Sequence, residues 1–137
     1  VSPKLLKQTQ DEIETQMKHF SPYKIEALTT AQVLMPSARK FAIAQTDVDL
    51  AQVACALERY RLAHGQYPET LDALAPQFIE SLPHDVINGQ PLHYRRTPDG
   101  KFLLYSVGWN ETDDGGKPAF TKNGNVDYLN GDWVWKN

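Results

Sequence analysis

The spacing of apolar residues changes once along this chain, at Pro83, and that change restricts the fold more than any other feature. Before Pro83 the apolar residues recur at helical intervals. After it they alternate and are interrupted by tight-turn pairs. A chain that places its helices first and its hairpins second points to an α+β domain in which helix covers sheet.

Three longer helical segments are predicted upstream. Residues 2–20 offer Ser2 as a cap, Pro3 at the first helical position, and Leu5, Leu6, Ile13, Met17 and Phe20 at near-helical spacing. Ser21-Pro22 restarts the pattern through Ile25, Leu28, Val33 and Leu34. That second helix is expected to end by Met35, because the residue before Pro36 is pushed out of helical geometry. From Ser37 the longest periodic segment begins, with Phe41, Val48, Ala51, Cys55 and Leu62 on one stripe and Ile43, Leu50, Ala54 and Leu57 on another beside it. The double stripe predicts a helix packed over a broad surface, with the lone Cys55 as a small buried hydrophobe. His64-Gly65 closes this helix, since glycine takes the left-handed cap conformation freely, and Tyr67-Pro68 prevents continuation. Glu69 or Thr70 then opens a short helix through Leu71 and Leu74. These boundaries divide the chain into an N-terminal helical extension, 1–36, and an α+β domain, 37–137.

Downstream, Asn88-Gly89 marks a tight turn, Leu92 to Arg95 a strand, Pro98-Asp99-Gly100 a second turn, and Phe102 to Val107 a second strand. The two strands form an antiparallel hairpin. Phe102, Leu104 and Ser106 share one face while Leu103, Tyr105 and Val107 share the other, so at least one face needs cover, which the long helix supplies. Asp132 to Trp135 reads as a last short strand. The expected fold is α+β: a long amphipathic helix on a small antiparallel sheet, with additional short helices at the N-terminus.

The formal charge of −3 arises from mixed signs, with no basic run able to neutralise a row of phosphates, so nucleic acid is not an expected partner. No apolar run approaches the roughly 20 residues of a membrane-spanning helix, and no signal-peptide pattern is present. The sequence opens at Val1 without an initiator Met, which reads as a trimmed or mature segment. Membrane attachment is expected only through an N-terminal anchor outside this chain.

The stretch from Gly108 to Asp132 carries little apolar content, and a structureless connection of that length is uncommon unless it is functional or disordered. It holds Asn110, Glu111, Asp113, Asp114, Asn123, Asn125, Asp127, Asn130 and Asp132, with glycines that let carbonyls turn inward. Calcium takes about six to eight oxygen ligands in flexible geometry, and this is the inventory on offer. Zinc is poorly served, since Cys55 stands alone and His19, His64, His84 and His93 lie outside the stretch. An EF-hand beginning at Asn110 fails, because Thr121 occupies the place of its bidentate Glu. The other reading is a solvated Asp-Asp-Gly-Gly turn whose asparagines bond to nearby backbone, and spacing alone leaves both open.

Taken in order, Leu57-Glu58-x-Tyr60, Gly65-x-Tyr67-Pro68, Leu71-x-x-Leu74, Leu82-Pro83-x-Asp85, Asn88-Gly89-x-Pro91-Leu92-x-Tyr94-Arg95, Leu104-Tyr105-Ser106-Val107-Gly108 and Asp113-Asp114-Gly115-Gly116 resemble the C-terminal periplasmic domain of type II secretion major pseudopilins. They also resemble pseudopilin-like proteins of planctomycetes and verrucomicrobia. The likeness spans residues 48–135. It implies a non-enzymatic domain, periplasmic or otherwise extracytoplasmic, anchored to the inner membrane in the full-length protein and working with protein partners in a secretion or pilus-like assembly. It also implies a calcium ion in the loop after the second strand. The family motif would place carbonyl ligands at Leu104 and Val107 and side-chain ligands at Asp113 and Asp114, with Asn110 and Asp127 as further candidates. The chain departs from the family in its longer loop, in Val86 where a proline is usual, and in lacking the family's leader and apolar helix.

A stand-alone ligand- or protein-binding module on the same scaffold is the alternative, with Trp109, Trp133 and Trp135 as candidate binding residues because indoles supply flat contact area and a donor tip. Sheet cover is their other role. A hydrolase would need His84, Asp85, His93 and Ser106 to converge, but Ser106 lies mid-strand without a nucleophile elbow, and Asp85 suits a turn cap before Asn88-Gly89.

Overall fold

A helix of 43 residues, α2 (Pro22–His64), is the longest element of the chain. The computed structural model describes residues 3–16 and 22–136, so the end of the first predicted helix lies outside the described residues. A shorter helix, α1 (Pro3–Gln16), precedes α2, and a 3-10 turn at Leu71–Leu74 follows it. The strands are β1 (His93–Arg96), β2 (Phe102–Ser106), β3 (Pro118–Phe120), β4 (Val126–Gly131) and β5 (Trp133–Val134). The chain is an α+β domain, as its periodicity implied.

Two expectations about α2 are corrected. The helix does not end before Pro36 but continues through it. A proline inside a helix removes one backbone hydrogen bond and crowds the preceding turn. In a run this long, the bonds on either side still hold the helical path.

The second correction concerns its faces. Leu50, Val53, Ala54 and Leu57 are buried against the sheet, whereas Phe41, Val48 and Leu62 are 75%, 57% and 76% exposed. Cys55 is exposed with them and is not the buried hydrophobe expected. The helix is apolar on two opposite sides. Residues spaced by sevens drift slowly around a helix of 3.6 residues per turn and remain on one side, while the set spaced by threes and fours around Leu50, Val53 and Leu57 occupies the other.

The hairpin forms as expected. β1 pairs antiparallel with β2, His93 opposite Tyr105 and Arg96 opposite Phe102, and β5 adds on the far edge with Ser106 opposite Trp133. The sheet order is therefore β1-β2-β5. Leu57, Leu74 and Leu104 are fully buried in the main core with Phe102, Leu92 and Tyr67, joining helix, 3-10 turn and sheet. A smaller cluster of Ala42, Ile87, Val107 and Trp133 fills the space beyond the other end of β2.

Asp85 locks these pieces together. Its buried carboxylate accepts the Ile87 N–H at 2.9 Å and the Val107 N–H at 3.0 Å, and its carbonyl accepts from Gly89 N. The turn cap read from the sequence is present, and it also ties the turn to the end of β2.

Candidate functional site

The acidic loop begins where β2 ends. Gly108 has a φ of +71°, which lets the chain swing away from the sheet, and its N–H donates to Ser106 Oγ at 3.2 Å. A Cβ there would overlap the Gly131 carbonyl, so the two ends of the loop touch through a place only glycine fills. Asn110 Oδ1 accepts the Thr112 N–H, a local side-chain turn, and Asn110 Nδ2 lies 3.3 Å from Asp114 Oδ2. The Glu111 carboxylate accepts the Lys4 N–H at 2.9 Å, setting a negative charge at the first turn of α1, where the helix dipole favours it.

Asp113 stands where loop and sheet meet. Its Oδ1 accepts the Gly115 N–H at 2.8 Å and the Tyr105 O–H at 2.9 Å, and its Oδ2 lies 3.5 Å from His93 Nδ1. His93 and Tyr105, opposite each other in the sheet, stack with ring centres 4.9 Å apart. The Gly115 N–H, then the Tyr105 O–H, hold the Asp113 carboxyl below the ordinary carboxylate range. Burial, and secondarily the Asp113 carboxylate, pushes the Tyr105 phenol up to about 12.

The residue that organises the loop is Asp132, which the sequence places at the head of the last strand and in the loop's oxygen inventory, but not among the candidate ligands. It is 1% exposed. Its Oδ2 accepts from Gly116 N at 2.7 Å and Lys117 N at 3.2 Å, its Oδ1 from Asp114 N at 3.3 Å, and its own N–H donates to the Lys117 carbonyl. Burial raises its pKa, partly offset by these three N–H groups, and the Asp113 charge raises it further. Its signal was its position beside the Trp133-Val134-Trp135 run, where a carboxylate needs backbone donors to be tolerated.

The loop is not structureless. β3 and β4 form an antiparallel hairpin, closed at its tip by Thr121 N to Asn125 O at 2.8 Å and Gly124 N to Thr121 O at 2.9 Å. The missed signal was Asn123-Gly124 between Ala119-Phe120 and Val126, a turn pair of the same kind recognised at Asn88-Gly89. Asp127 sits on β4, with Oδ1 accepting from Leu129 N and Oδ2 from Asn130 Nδ2, so both oxygens serve its own strand. The Asn130 side chain, then the Leu129 N–H, lower its pKa.

Of the six candidate calcium ligands, Asn110, Asp113 and Asp114 share one turn, and Val107 enters it. The Leu104 carbonyl accepts the Trp135 N–H at 2.9 Å within the sheet, and Asp127 is engaged as described. Among the described residues, no three Asp, Glu, His or Cys side chains gather into a group that could hold a metal ion. The indoles divide as well. Trp133 is buried in the smaller cluster with its Nε1 on the Tyr128 carbonyl, Trp109 half-buried beside it, and Trp135 against the main core. Ser106 is wholly buried, and a shallow cleft of about 240 Å³, lined by residues including Glu69, Asp72, Leu82 and Tyr94, touches none of His84, Asp85, His93 or Ser106.

No protein-family model matches the sequence, and no curated protein matches it significantly.

Proposed function

We propose that this chain is a non-enzymatic, pseudopilin-like extracytoplasmic domain that packs beside other proteins in a membrane-associated secretion or pilus-like assembly, and that its acidic loop takes calcium. The observation carrying the reading is the division of α2: one face lies on the sheet, and the opposite face, Phe41, Val48 and Leu62, stands bare and apolar. Large exposed apolar side chains aligned on one helix face suit protein contact better than solvent.

The donor chemistry of the loop suits calcium, since Asp113 and Asp114 supply carboxylate oxygens and Asn110 an amide oxygen close by in the chain, and the negative charge of Asp113 already bears on Asp132. A cation there would relieve that repulsion and hold the turn against the sheet. Asn110, Asp113, Asp114 and the Val107 carbonyl are the groups that would hold it. Melting curves with calcium and with EGTA test this. Chelation should lower Tm, and Asp114→Ala should abolish the difference; identical curves would count directly against the ion.

A stand-alone binding module is favoured by a separate observation, the exposed Phe120, Tyr128 and Leu129 on the β3–β4 hairpin. A prepilin leader in the full-length gene supports assembly, and a lipoprotein signal supports the module.

A further inference from the structure

Pro83 and Pro91 stand on the two arms of one strap of chain, which turns at Asn88-Gly89 and leads into β1. An antiparallel bridge between His84 and Pro91, and the Asp85 N–H donating to the Gln90 carbonyl at 2.7 Å, hold the arms together. Between this strap and the 3-10 turn lies the cleft of about 240 Å³, whose apolar wall comes from Leu71, Leu82, Leu92 and the two prolines. Tyr94 completes it, its hydroxyl donating to the Pro68 carbonyl at 2.7 Å. Prolines have no rotamers to lose and the phenol is already tied, so a guest meets a formed wall at little ordering cost.

The polar groups at this cleft favour one sign of charge. The Tyr94 hydroxyl is engaged, and the Glu69 carboxylate takes the Arg96 guanidinium. Asp72, in the 3-10 turn, lines the cleft with a carboxylate that has no hydrogen bond or ion pair among the described residues. A guest that satisfies it must bring donors and positive charge on an apolar stem. The chain makes that arrangement twice with its own arginines: Arg96 reaches Glu69, and Arg61 pairs with Glu58 at 2.8 Å with its guanidinium 5.7 Å from the centre of the Tyr67 ring. Asp72 is left without such an arginine.

We propose that this cleft docks an arginine side chain of a partner protein, its methylene stem against Leu71, Leu82 and Pro83 and its guanidinium on the Asp72 carboxylate beside the Tyr94 ring. A guanidinium offers a planar fork that a carboxylate accepts with two parallel bonds, and it also lies well against an aromatic face. Lysine brings a single point charge and does neither as well. An anion is repelled by Asp72. The volume lies below the roughly 300–1,000 Å³ of small-molecule pockets, which suits one long side chain and not a cofactor. That the arginine belongs to a protein rests on the functional reading above, in which the domain packs beside other proteins; the preference for a guanidinium does not, and it needs neither the calcium loop nor the bare face of α2.

Backbone amide NMR shifts of the chain, followed while N-acetyl-arginine methylamide is added at constant ionic strength, test the cleft. The expected result is saturable shifts confined to residues 69–72, 82–83 and 92–94, with a Kd of about 10 mM or tighter, as suits one side chain in an open cleft. The lysine analogue should bind at least about threefold more weakly, and the uncharged norleucine analogue more weakly still. Asp72→Asn should weaken the arginine probe at least about fivefold and leave the norleucine probe and Tm unchanged, because the Asp72 carboxylate bonds to nothing in the fold. Shifts that never saturate, lysine binding as tightly as arginine, or arginine binding that survives Asp72→Asn would each overturn the proposal. The calcium and EGTA melting curves report on a different part of the molecule, so a silent cleft leaves the loop reading standing, and a loop indifferent to calcium leaves the cleft standing.

Discussion

The Asp132 carboxylate accepts the Gly116 N–H at 2.7 Å from a position that is 1% exposed, and through this bond the far end of the acidic loop holds its beginning. The same carboxylate also receives Asp114 N and Lys117 N, so one side chain satisfies three backbone donors. Bonds to a charged acceptor are the stronger kind, and removing the acceptor leaves the donors unmet.

Asp132→Ala is accordingly expected to destabilise the domain by about 3 kcal/mol, the cost of losing charged hydrogen bonds at a buried place. Asp127→Ala, whose carboxylate serves only its own strand at the surface, should change stability far less. Urea unfolding of the two variants measures both. Equal losses would show that Asp132 is not the organiser of the loop.

The glycines of the loop differ in what surrounds them. Gly108 and Gly124 both have positive φ, +71° and +80°, but a Cβ on Gly108 would overlap the Gly131 carbonyl while one on Gly124 meets open space. Gly124→Ala carries only the left-handed conformational cost, about 1 kcal/mol. Gly108→Ala adds a backbone clash at the point where the loop closes, and should cost at least about 2 kcal/mol more. If both variants melt together, the contact between Gly108 and Gly131 is not a closure point.

How far the sequence revealed this structure depends on which physical signal each element left. The hairpin β1–β2 was legible because its turn residues and alternating strands agree, and Asp85 was legible because it precedes a turn pair that needs a cap. The inward face of α2 was not, since apolar residues lie on two opposite sides of that helix and periodicity cannot say which side meets the sheet. Pro36 misled for a related reason: the local cost of a proline is visible in sequence, whereas the rest of the helix that outweighs it is not. At the candidate site, the oxygen-rich turn at Asn110, Asp113 and Asp114 could be seen, but the buried carboxylate of Asp132 came from a tertiary relation across the β3–β4 hairpin. Once Asn123-Gly124 is recognised as a hairpin turn, Asp132 returns beside Asp114, and its role becomes readable.

One buried group on α2 lacks a partner. Thr46 is 1% exposed, and its Oγ1 has no hydrogen-bond partner among the described residues. A hydroxyl taken from water without compensation is a cost that an apolar group of similar shape does not incur. Thr46→Val, which keeps the β-branch, should therefore stabilise the domain by about 1 kcal/mol and raise Tm. A loss of stability in urea unfolding would mean that the hydroxyl is satisfied in solution by an ordered water.

Raised phenols shape the behaviour of the domain in alkali: burial, and then the bond to Glu58, push Tyr67 up, and two others rise further. Burial raises Tyr94 to about 12 and Tyr105 to about 12, the latter helped by its bond to the Asp113 carboxylate. A tyrosine in the unfolded chain titrates near about 10. Between these values the unfolded chain releases protons that the folded chain keeps, so the unfolded state binds fewer protons and stability falls as pH rises. The contribution is fully present below pH of about 10 and is lost as pH passes through about 12. Tm should decline steadily across that window. Tyr105→Phe should make the decline shallower, since it removes one of the raised titrations. Tyrosinate absorbance followed on the folded protein provides the independent check: a full complement of tyrosines ionising together near about 10, with Tm unchanged, would show that neither phenol is held neutral by the fold.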